Sequence, residues 1–219
     1  MGNVIDYSVA RPPIAALKAA EVTGVCRYQW IEAGLRPEFN RDKAITKSEY
    51  VALIAAGIEV LLICQVDKAN YLGGYAEGLR HGRASLVHSR QMGHPDTRPV
   101  VLAIQDQGIP TANHALAVEY SRGFKDGRGQ GPQLGYGGTD VLNKCVQAGH
   151  IWGIWKAAAT SWSTQASNHI VLVQLPNIQL PNFPYNHDVN SVPKLDWGQY
   201  HPDTICMFGY RCPLVPALT

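Results

Sequence analysis

The chain has 219 residues, with 19 Lys plus Arg against 17 Asp plus Glu and a formal net charge of +2. That balance gives no electrostatic reason to expect nucleic acid as a partner, and 46% hydrophobic against 16% charged residues excludes a disordered chain. No run nears the roughly 18 consecutive apolar residues of a membrane span, so no membrane insertion is expected, and MGNVIDYSVARPP lacks the basic-then-apolar pattern of a signal peptide.

In chain order, NVIDY at 3–7 predicts a first strand. Pro12 and Pro13 open a helix over IAALKAAEV with proline in its first turn, and Gly24 ends it. VCRYQ at 25–29 is the second strand. Thr46-Lys-Ser-Glu49 has capping-box spacing ahead of the helix YVALIAA, and Gly57 follows where a C-cap glycine belongs. IEVLLICQV at 58–66 is continuously apolar, as in a strand covered on both faces. Residues 71–92 read as a helix up to Gly93, RPVVLAIQ at 98–105 as the fourth strand, and 111–124 as a helix before a glycine-rich loop at 125–131. QLGY at 133–136, a helix at 139–148, IWGIW at 151–155, IVLVQL at 170–175 and a weaker segment at 188–192 complete the series. The stretch LPNIQLPNFPYN at 175–186 reads as an irregular loop over the barrel mouth or as an interaction surface.

Repeated strand–helix units imply parallel strands, because a helical crossover returns the chain to the same end of the sheet. About eight such units predict a compact α/β fold, a (β/α)8 TIM-like barrel over 1–200 with a C-terminal extension at 201–219. An open doubly wound sheet is the alternative. No GxGxxG or Walker pattern follows a strand, and no cofactor is expected. The eight histidines show no ligand spacing, so no metal is expected; His81 and His88, seven apart on one helix, read as solvent-exposed. Cys26, Cys64, Cys145, Cys206 and Cys212 fit neither a disulfide framework nor a zinc site. Cys26 and Cys64 read as buried thiols, and Cys206 and Cys212 as a pair able to bridge a C-terminal loop.

In a barrel of this type, polar residues at C-terminal strand ends line the active face. Here they are Asp6, then Arg27, Tyr28 and Gln29, then Gln65 and Asp67, then Gln105, Asp106 and Gln107. Tyr136, Trp155, Lys156, Gln174 and Asp188 continue the series. One polar residue after a strand is usually a solvated turn or a helix cap; its recurrence, strand after strand, points to a ligand cleft. Tyr28, Trp30, Tyr136, Trp155 and Trp162 either stack on sugar rings or pack between barrel and helices.

Seven stretches carry a resemblance: VIDYS (4–8), CRYQ (26–29), KAITKSEYVALIAAGIEVLLICQ (43–65), GRASLVHSRQMG (82–93), RPVVLAIQDQ (98–107), GYGGTDVLNKCVQAG (135–149) and WGIWKAAATSWS (152–163). In this order they resemble the glycoside-hydrolase-like barrel domain of mycobacterial secreted proteins, distantly similar to the family 25 lysozymes. The resemblance implies a barrel whose mouth binds a cell-envelope polysaccharide. It also implies acids at set positions: an Asp ending strand one, a Glu ending strand three and an Asp-x-Asp ending strand four. Asp6 matches the first; Gln65, Gln105 and Gln107 stand at the others, with Asp106 between the last two on the opposite face. Lys156 stands where that family often has Gln.

Glycoside hydrolysis needs two carboxyl groups across the scissile bond. A glutamine amide is no proton donor of that kind, yet it hydrogen-bonds sugar hydroxyls well. The expectation is therefore a domain engaging peptidoglycan or another envelope glycan, hydrolytic where Asp6 pairs with Asp106 or Asp188. Arg27, Tyr28, Gln65, Gln105, Gln107, Tyr136, Trp155, Lys156 and Gln174 are expected to contact the sugar. The alternative is a non-catalytic glycan-binding or structural component of a phage tail or virion, because similar domains occur in actinobacteria and their phages.

Overall fold

The computed structural model describes residues 2–31, 42–66, 69–104, 108–158, 162, 165–175, 178–193 and 197–199. Eight strands close a barrel in chain order: β1 (Asn3–Asp6), β2 (Val22–Tyr28), β3 (Glu59–Cys64), β4 (Val100–Ile104), β5 (Gln133–Gly137), β6 (Gly153–Lys156), β7 (Ile170–Leu175) and β8 (Asp188–Ser191). Helices α1 (Ile14–Ala19), α2 (Lys47–Ala55), α3 (Gly74–Met92), α4 (His114–Gly127) and α5 (Thr139–Gln147) connect them. The expected TIM-like α/β barrel is thus formed.

Strands β1 to β7 are parallel, but β8 runs antiparallel to both β7 and β1. This departs from the all-parallel expectation, and the connection explains it. Residues 178–187 form no helix and hold Pro181 and Pro184, which cannot donate to a helical ladder. Without a crossover, the chain leaves β7 at the mouth and enters β8 at the mouth. Leu180, Phe183 and Tyr185 pack on the outer core, as a helix does elsewhere in the barrel.

Period-two alternation splits the strand residues between two cores. Val4, Cys26, Leu61, Ile63, Val101, Leu134 and Trp155 fill the barrel. Ile5, Val25, Leu62, Cys64, Leu102 and Ile154 meet Leu53, Ala117, Phe124 and Leu142 outside it. Cys26, Cys64 and Cys145 are buried free thiols, while Cys206 and Cys212 lie outside the described residues. Gly24 does not end α1; it lies inside β2, where a side chain would strike Trp197 beneath the barrel. The turn after α1 is made by Glu21 at φ 54°.

The capping box is half realised: Thr46 Oγ1 accepts from the Glu49 N–H at 3.1 Å, while the Glu49 carboxylate turns to Arg27. Helices α3 and α4 approach closely through Gly78, Gly82, Gly123 and Gly127, each against backbone of the other helix. His81 lies in that contact and His88 is buried as well, correcting the expectation of exposed histidines. His81 Nδ1 bonds the Tyr120 hydroxyl at 2.9 Å. Among the described residues no group of three or more His, Cys, Asp or Glu is arranged to hold a metal ion, and no helix is long and apolar enough to cross a membrane.

Candidate active site

At the barrel mouth Asp6, Tyr28, Ile63, Ala103, Tyr136, Trp155 and Gln174 line one small recess. Five of these were singled out in the sequence. Each comes from the inward register of a different strand, β1, β2, β5, β6 and β7, so residues distant in the chain meet at one opening. Tyr136 packs edge-on against Trp155, with ring centroids 4.8 Å apart, and against Trp162 at 5.9 Å. The wall is therefore aromatic, with Ile63 and Ala103 apolar beside it.

Asp6 ends β1 and is 3% exposed. Burial pushes its carboxyl up to about 7; donation from Asn190 opposes the rise, the charge of Asp188 adds to it, and Gln174 and Arg27 oppose it. Asn190 Nδ2 donates to Asp6 Oδ2 at 2.9 Å, and Trp155 Nε1 donates to Asn190 Oδ1 at 2.8 Å. Asp188 lies directly opposite Asp6 in the antiparallel β1–β8 ladder. The reversal of β8 puts this first residue of its strand at the mouth, where the other strands present their last. Asp188 is exposed and accepts from Gln174 Nε2 at 3.0 Å, while Tyr136 donates to Gln174 Oε1 at 2.8 Å. Burial also raises the Tyr28 and Tyr136 hydroxyls, with the Asp6 charge adding, so both stay protonated.

The remaining expected residues lie elsewhere. Arg27 faces outward from β2, fully buried against α2: Nε and Nη2 meet the Glu49 carboxylate at 2.7 and 3.2 Å. Its Nη1 reaches the Tyr7 and Ser8 carbonyls, and its guanidinium covers the Tyr7 ring at 4.2 Å. It braces the end of β1 from behind. Lys156 sits on the register of β6 opposite to Trp155, outside the recess. Gln65 follows β3 two residues past Ile63, half-buried on the inward register. Asp67, Gln105, Asp106 and Gln107 lie outside the described residues. Sequence reasoning missed Asn190, although it stands two residues after Asp188 and so shares its face in any strand.

The sequence profile of the Rv2525c-like, glycoside hydrolase-like domain matches residues 15–203. The chain belongs to this family. A relative is the Mycobacterium tuberculosis (strain ATCC 25618 / H37Rv) protein named "Putative peptidoglycan hydrolase Rv2525c", 24% identical over 212 residues, covering 91% of this chain and 84% of that one. The crystal structure of that Tat-secreted protein with HEPES superposes with a TM-score of 0.76 at 23% identity, over 90% of this chain and 98% of the other. A glycosyl hydrolase 25 of Streptococcus pneumoniae gives 0.61 at 15% identity, over 89% and 88%. The catalytic domain of endolysin ply40 from a Listeria monocytogenes phage gives 0.56 at 16%, over 90% and 95%. At these identities the superpositions speak for the fold alone.

Proposed function

We propose that the barrel mouth takes a cell-envelope glycan, peptidoglycan foremost, and that Asp6 and Asp188 form the carboxyl pair that hydrolyses it. The observation that carries this reading is the ladder register that sets Asp6 opposite Asp188 beside an aromatic recess. Opposed residues of such a ladder have Cβ atoms about 4.5–5.5 Å apart. The retaining route needs carboxyls about 5–5.5 Å apart, a separation that side chains on such neighbouring Cβ atoms can reach. Asp6, raised to about 7, donates its proton to the glycosidic oxygen as that C–O bond breaks. The Asp188 carboxylate bonds to the anomeric carbon. Water then displaces Asp188 and returns a proton to Asp6. Tyr28 and Tyr136 offer aromatic rings to the sugar, Trp155 backs them from the barrel core, and Gln174 hydrogen-bonds the sugar hydroxyls.

Family membership and the hydrolase name of the mycobacterial relative support the glycan as ligand. A second reading, binding without cleavage, is favoured by Gln65, Gln105 and Gln107 standing where the resemblance implies acids. A virion role draws on the resemblance alone, and no feature of the described barrel favours it. The test is co-sedimentation with purified peptidoglycan together with an assay of released reducing ends. The hydrolytic reading predicts both, with retention in Asp6→Asn but no release. Retention without release by the wild type assigns the second reading, and loss of both overturns the two together.

A further inference from the structure

We infer that Asn190 is a positioning residue: pinned by Trp155, it holds Asp6 Oδ2 as an acceptor and so assigns the proton of the acid to Oδ1. This rests on the reading of Asp6 as proton donor.

The direction follows from donor chemistry. An indole N–H only donates, so the Asn190 atom 2.8 Å from Trp155 Nε1 is the carbonyl oxygen. The amide nitrogen then faces Asp6 Oδ2 at 2.9 Å, and an amide N–H₂ only donates. Oδ2 must offer a lone pair, so a proton arriving on Asp6 settles on Oδ1. Asp6, Asn190 and Trp155 are all buried, so bulk water does not substitute for any link. A parallel chain runs from the Tyr136 hydroxyl through Gln174 to Asp188 Oδ2. Tyr136 on β5, Asp188 on β8, Cys26 and Tyr28 on β2, and the Arg27 charge behind β2 are the titratable or charged groups around Asp6. Asp6 Oδ2 accepts from Asn190, and Gln174 adds a second side-chain hydrogen bond to the Asp6 carboxyl.

The experiment is a ¹³C NMR titration of the Asp6 side-chain carboxyl in the full chain. Asn190→Leu, apolar and of similar shape, removes the donor, and the Asp6 midpoint rises by about one unit or more. Asn190→Asp turns an oxygen toward Asp6, and the titration splits into two coupled steps. Trp155→Phe frees the amide to present its oxygen to protonated Asp6, and the midpoint rises although Trp155 makes no bond to Asp6. An Asp6 midpoint unmoved in these variants, with amide spectra still folded, overturns the assignment. Should Asn190→Leu not fold, the other two variants carry the test. Because the titration needs no glycan, shifted midpoints without wall cleavage leave the relay standing while the hydrolytic reading falls. Cleavage with unmoved midpoints does the reverse.

Discussion

Asp6 weakens the fold once its proton leaves. Its folded carboxyl titrates near 7 against 3.8 in the unfolded chain, so between those values the folded state binds more protons. Stability contributed by protonated Asp6 is full at low pH and is lost as pH rises from 3.8 through about 7. Above 7 the buried charge opposes folding by up to about 4 kcal/mol. Asp6→Asn keeps an acceptor for Asn190 and removes that charge, so on the proposed reading it is expected to abolish hydrolysis, to raise the Tm at pH 8 by several degrees and to leave it nearly unchanged at pH 4. Burial pushes His88 down to about 4 and His94 to about 3, with the opposite dependence. Their contribution is full above 6.5 and lost as pH falls toward 4 and 3. Urea midpoints of Asp6→Asn therefore fall more steeply between pH 6.5 and 4 than those of the wild type, where Asp6 gains its proton in the same window. Equal slopes would show that Asp6 is not protonated in the fold.

Elements are held by contacts that few single positions announce. A Cβ on Gly123 would strike the Tyr75 carbonyl oxygen, and one on Gly78 the Tyr120 carbonyl oxygen. Gly123→Ala forces α3 and α4 apart and is expected to cost about 3 kcal/mol, read as a lower urea midpoint. Glu49 joins the α2 N-terminus to β1 and β2 through Arg27, Tyr7 and Arg11. Glu49→Gln leaves a fully buried guanidinium without its counter-charge and costs about 3 kcal/mol. The cap at Thr46, the apolar run of β3 and the glycine after α3 were legible because each is a local signal. The burial of His81 and the outward engagement of Arg27 were not, because they depend on which helix packs against which face. Gly24 misled for a related reason: its meaning lies in Trp197, far along the chain.

At the scale of the molecule, closure makes the site. Strand tips read one by one as polar turns, and only a ring brings Asp6, Tyr28, Tyr136, Trp155 and Gln174 to one recess. Eight strands were legible as short apolar runs alternating with helix-like segments. The reversal of β8 was not, since direction is set by the helix-free segment before it; Asp188 was one of two partners the sequence offered for Asp6, but the ladder register that sets the two opposite each other was not legible. Closure also needs a floor. Trp197 is 3% exposed in the barrel core beneath Gly24, and Arg98 donates to the Gln199 carbonyl beside it. Trp197→Ala opens that end and is expected to cost about 3–5 kcal/mol, with a matching fall in Tm. The account turns on two facing carboxyls at the other end. Its most direct measurement is the release of reducing ends from purified peptidoglycan by the wild type, Asp6→Asn and Asp188→Asn. It predicts release by the wild type and at least a hundredfold loss in each variant, in line with the ~10²–10⁴-fold usual for an acid–base group. Release undiminished by either substitution would contradict it.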